Sequence, residues 1–80
     1  MWSEGMVRAA SGMVYEYQVK HYDEGSEFGI DGGRVSKLWI AVRGKVSKEV
    51  VVSYERGWDV KPKKGTEAHE VMMDIIRKYN

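Results

Sequence analysis

The sequence predicts an α+β fold: a four-stranded (at least three-stranded) antiparallel β-meander with one C-terminal helix packed on one face. Three observations carry this. Three runs between residues 13 and 55 alternate apolar and polar side chains with period two. From residue 68 to 79 the apolar side chains instead recur three and four positions apart. The one proline, Pro62, stands between the last of those strands and the helix, where it stops a strand from running on.

The elements follow in order. A weaker first strand lies within residues 2–9 and turns at Ala10-Ser11-Gly12. In residues 13–22, Met13, Tyr15, Tyr17 and Val19 form one face, with Glu16, Gln18 and Lys20 pointing the other way. In residues 35–43, Leu38, Ile40 and Val42 oppose Lys37, Trp39, Ala41 and Arg43. In residues 49–55, Val50, Val52 and Tyr54 alternate with Glu49, Val51, Ser53 and Glu55. The last two runs are joined by Gly44-Lys45-Val46-Ser47-Lys48, a hairpin-length connection. The helix spans 66–79: Ala68, Val71, Met72, Ile75, Ile76 and Tyr79 make one apolar stripe, and Thr66 is its natural N-cap. Glu67 and Glu70 suit its positive end, as Arg77 and Lys78 suit its negative end.

Eighty residues set the size of a single β-β-β-β-α domain, 1–80. A hydrophobic fraction of 42% with 31% charged residues is that of a globular chain, not a disordered one. With no cysteine, neither disulfides nor thiolate metal sites arise, which favours a reducing compartment such as the cytoplasm. No signal peptide or bilayer-length apolar run is present, so no membrane partner is expected. The net charge of +1 hides a segregation. Residues 1–33 carry two bases against six acids, and residues 34–64 carry nine bases against three acids. Cross-strand pairing of the two halves would cancel most of it.

One helix cannot cover both faces of such a sheet. The uncovered face is expected to carry Val14, Glu16, Gln18, Lys20, Lys37, Trp39, Ala41, Arg43, Val51, Ser53 and Glu55. Trp39, with Lys37, Arg43 and Val51 around it, is the expected anchor for a partner, or for a homodimer.

The chemical motifs are weak by comparison. Gly29-Ile30-Asp31-Gly32-Gly33 invites an anion-nest reading, yet it leads into a strand, lacks a Lys-Ser/Thr pair, and carries an acidic side chain. A turn that sets strand register is the better reading. His21, Asp23 and Glu24 suggest a metal or acid–base cluster, but at a strand end and in a polar loop they read as solvated side chains, with His69 the one other imidazole. Ser26, Ser36 and Ser53 have no base and orienting group in recognisable spacing. The chain is therefore read as non-enzymatic, with no catalytic, cofactor or metal residues. Arg34, Lys37, Arg43, Lys45, Lys48, Lys61, Lys63 and Lys64 are the basic set for a nucleic-acid reading, opposed by Glu16, Glu49 and Glu55 on the same expected face. Trp58, after Arg56-Gly57, is expected to cap the core over the helix end.

Trp2-Ser3-Glu4-Gly5, Tyr17-Gln18-Val19-Lys20-His21-Tyr22, the block Ser26-Glu27-Phe28-Gly29-Ile30-Asp31-Gly32-Gly33-Arg34-Val35-Ser36-Lys37-Leu38, Tyr54-Glu55-Arg56-Gly57-Trp58-Asp59 and Lys78-Tyr79-Asn80 resemble a family of small uncharacterised proteins of Firmicutes bacteria and their phages. The resemblance implies one compact domain and carries no catalytic residue across. Phage association implies a protein that binds and occludes a host machine, an anti-defence, anti-CRISPR-like inhibitor. Its partner would be a host protein or a protein–nucleic-acid complex, with Glu24, Glu27 and Asp31 as an acidic loop mimicking phosphate. Direct nucleic-acid binding through segment 34–64 and the open sheet face is the alternative.

Overall fold

The computed structural model describes residues 1–27, 29–44 and 46–80; Phe28 of the glycine block and Lys45 of the basic set lie outside the described residues. The described residues form strands β1 (Trp2–Arg8), β2 (Val14–His21), β3 (Val35–Arg43), β4 (Lys48–Glu55) and β5 (Trp58–Val60), then helix α1 (Glu67–Tyr79). The strands make one antiparallel sheet in the order β1-β2-β3-β4-β5, a meander in which each strand pairs with its sequence neighbour.

Helix α1 covers one face of this sheet. Val71, Met72, Ile75 and Ile76 are buried against Tyr15, Tyr17, Val19, Leu38, Ile40, Val42, Val52 and Tyr54, the inward set expected from alternation. Met13 departs from that set: it precedes β2 and is exposed, because the turn from β1 has not yet entered the ladder. Thr66 caps the helix as expected, its hydroxyl accepting the His69 N–H at 3.2 Å.

Both ends of α1 are tied to the sheet. At the first turn, Glu67 accepts hydrogen bonds from the Ser11 hydroxyl at 2.7 Å and the Tyr15 hydroxyl at 3.0 Å. At the last turn, the Tyr79 and Tyr17 hydroxyls share a hydrogen bond of 3.0 Å, and the His21 ring lies 4.9 Å from the Tyr79 ring. The Tyr17 ring sits on Gly5 of the neighbouring strand, where a Cβ would lie 2.6 Å from its hydroxyl oxygen. Only a residue without a side chain allows that approach.

Two elements differ from the sequence reading. The four expected strands are joined by a fifth, because Arg56 adopts a left-handed conformation (φ 59) and turns the chain back at Gly57. Trp58 consequently lies in β5, opposite the core residue Tyr54. Its ring meets Tyr54 edge-on at 4.9 Å, with Lys61 over it at 4.9 Å, and it remains 37% exposed.

The second difference is a bulge. Ile40 pairs with Val52, but the next residue, Ala41, pairs with Val50, so Val51 has no partner across the ladder. Val50 therefore joins Ala41 on the face away from the helix, and Glu49 falls opposite Val42 on the helix face. Val51, expected beside Trp39, is partly buried and packs against the core cluster. Glu49 likewise leaves the open face on which it was expected.

Candidate functional site: the open face of the sheet

Strand parity and register assemble the open face row by row. Glu4, Gln18, Trp39 and Ser53 share one row, and Met6, Glu16, Ala41 and Val50 share the next. On the other side of the Trp39 row stand Trp2, Lys20, Lys37 and Glu55. Trp39 is half-buried at the centre of β3 and borders an open cleft of about 500 Å³ lined also by Glu4, Met6, Glu16, Gln18 and Lys48. A second hollow continues along the sheet beside Trp2, Ser3, Glu4 and Gln18. Trp2 and Met6 are 57% and 63% exposed.

The charges around Trp39 are largely neutralised by their neighbours. Glu16 accepts Lys48 at 2.5 Å and Arg43 at 3.5 Å, and Lys37 pairs with Glu55 at 3.0 Å. Lys48 holds the Glu16 carboxyl below the usual range, and Lys37 does the same for Glu55. Ala41, between these ion-paired side chains, is 0% exposed. Lys37 and Arg43 thus flank Trp39 as expected, but each is paired with a carboxylate.

The acidic loop stands apart from this cleft. Glu24, Glu27 and Asp31 are exposed in the β2–β3 connection, and none of them lines the Trp39 cleft. Asp31 takes a left-handed conformation (φ 54) inside the short 3₁₀ turn Ile30–Gly32. The loop's amides are turned inward. Ser26 N–H donates to the Gly33 carbonyl, Gly29 N–H to Ser26, Gly32 N–H to Gly29 and Gly33 N–H to Ile30. Four N–H groups of the kind that would cradle an anion are thereby occupied by backbone carbonyls.

The glycine block instead receives Asn80. The Asn80 side-chain oxygen accepts the Val35 N–H at 3.0 Å, its amide donates to the Ile30 carbonyl at 3.4 Å, and Arg34 donates to its main-chain oxygen at 2.7 Å. A Cβ on Gly33 would overlap the Asn80 side chain. This docking explains a glycine at 33 without any ligand.

The remaining chemical candidates are dispersed over the fold. His21 Nε2 is 2.9 Å from the Ser3 hydroxyl and its ring is stacked on Tyr79, while His69 sits in the first turn of α1, at the other end of the helix. Among the described residues no group of three or more His, Cys, Asp or Glu side chains is arranged to hold a metal ion. Ser36 is buried and its hydroxyl donates to the Lys20 carbonyl at 3.4 Å. No helix among the described residues is long and apolar enough to cross a membrane.

Sequence reasoning missed Glu4, Met6 and Lys48 as cleft residues. Met6 and Glu4 occupy even positions of β1, in phase with Trp2 and Arg8, and that alternation was the available signal. Lys48 reaches the cleft only through the bulge in β4, which no residue pattern marks.

Comparison with known proteins adds one finding. The family model described as a domain of unknown function (DUF7678) matches residues 1–80, the whole chain. No curated protein and no solved structure matches it.

Proposed function

We propose that this chain, which belongs to the DUF7678 family, works as a non-enzymatic protein-interaction module that binds its partner through the open face of the sheet. The observation that carries the reading is Trp39, half-exposed in a cleft of about 500 Å³ on the face that α1 leaves uncovered. Its flanking cations are already matched to Glu16 and Glu55. A face of aromatic and aliphatic groups edged by paired charges favours a protein surface over a phosphate backbone. The more specific form is a phage-related anti-defence inhibitor that occludes a host protein. Its support is the resemblance of the glycine block, together with the exposed carboxylates Glu24, Glu27 and Asp31 as phosphate mimics.

The test pairs the wild type with Trp39→Ala in affinity capture from a bacterial lysate, read by quantitative mass spectrometry. Loss of a captured protein in the variant, with an unchanged thermal midpoint, is the expected result. Sequence-specific DNA or RNA binding at about 10⁻⁸ M or tighter would replace this reading by the nucleic-acid alternative. Severe unfolding of Trp39→Ala would make Trp39 a core residue and remove the anchor.

A further inference from the structure

The two edges of the sheet are unequal. The outer edge at β5 is three residues long and is followed by Lys61 and Pro62, which discourage further pairing. The edge at β1 is seven residues long and contains no proline. Its hydrogen-bonding direction follows from the two ends of its ladder with β2. His21 N–H donates to the Met1 carbonyl, and Ala9 N–H donates to the Met13 carbonyl, each at 2.9 Å. Odd-numbered residues of this strand therefore bond inward, and alternation turns the N–H and C=O groups of Trp2, Glu4, Met6 and Arg8 outward. The same four residues carry their side chains on the open face.

We propose that the β1 edge pairs with the β1 edge of a second copy of this chain, antiparallel about a two-fold axis at Met6, to form a continuous ten-stranded sheet. Only pairings of even residue with even residue use the outward groups. Centring on Glu4 would set Glu4 against Glu4. Centring on Gly5 would set Glu4 against Met6. Centring on Met6 sets each Glu4 against Arg8 of the second copy, on one face of the sheet, with Met6 against Met6 between the two charge pairs. Among the described residues, neither Glu4 nor Arg8 has an ion-pair partner within its own chain. The edge is thus self-complementary in hydrogen bonding, charge and apolar contact. This pairing is independent of what the Trp39 cleft binds. It brings the Glu4 and Met6 borders of the two clefts together across the axis.

Sedimentation equilibrium at low salt tests it. The wild type is expected at twice its 9.2 kDa chain mass. Glu4→Arg and Arg8→Glu, each alone, should raise the dissociation constant about tenfold, since two cross-strand pairs turn repulsive. The double reversal should restore it. A Met6→Cys variant of this cysteine-free chain should be crosslinked to a dimer by a short bis-maleimide, because facing side chains in such a hydrogen-bonded pair start about 5.5 Å apart on one face of the sheet. The two charged side chains are exposed, and thermal melts confirm that each variant folds. A monomer mass across the concentration range overturns the proposal. So does a dimer indifferent to charge reversal, or one that gives no crosslink at position 6.

Discussion

Asn80 satisfies the Val35 N–H from 45 positions away in sequence and fills the space that Gly33 leaves. Removing its side chain strands a partly buried donor, which typically costs about 1–3 kcal/mol. Asn80→Ala should lower the urea midpoint accordingly. Gly33→Ala should also destabilise, because its methyl group displaces the same side chain. In the double variant that methyl finds open space, so the two losses should add to less than their sum. The cause is a contact and not backbone strain, since Gly33 has φ −89, which any residue adopts. The glycine block was legible as a place of close approach. What approaches it was not, because Asn80 lies far along the chain and carries no pattern of its own.

Helix α1 was legible to within a residue: the apolar stripe marks the face, and Thr66 marks the start. Ile75→Ala should cost about 2–5 kcal/mol in a thermal or urea melt, since Ile75 is 3% exposed between helix and sheet. β2 and β3 were equally legible, because tyrosines, aliphatics and charges alternate cleanly along them. β4 was not. Val50, Val51 and Val52 offer three identical side chains in a row, so no polar residue fixes which of them faces the core. β5 was hidden for another reason. Its turn places an arginine at positive φ, a conformation usually read from glycine, asparagine or aspartate. The candidate site inherited both gaps: Trp39, Lys37 and Arg43 were placed by a clean alternation, whereas Val51 was misplaced by the bulge.

For the molecule as a whole, acid sensitivity should follow from Glu16, Glu55 and Glu67. All three carboxyls are held below their ordinary pKa, chiefly by hydrogen bonds from Lys48, Lys37 and Ser11 respectively. A carboxyl with a depressed folded-state pKa adds stability above the unfolded value of about 4.3 and loses it as pH falls further. The thermal midpoint should therefore hold near neutrality and drop below about pH 4.3. Glu67→Gln, which keeps an oxygen to accept from Ser11 and Tyr15, should soften that drop. On the alkaline side, the Tyr17 hydroxyl is pushed up to about 12, first by its hydrogen bond to Tyr79 and then by burial. The double anchorage of α1 has a further consequence, in the rates at which its amides exchange with deuterium. A helix tied at one end can fray or swing away while the sheet stays intact. With Glu67 held at one end and Tyr79 and Asn80 at the other, α1 can leave only by uncovering the whole core. Amides in the middle of α1 should then exchange only through global unfolding, with the same protection as those of β2 and β3. Tyr79→Phe combined with Asn80→Ala should free the last turn, so that its amides exchange faster than the global limit while β3 keeps pace with overall stability.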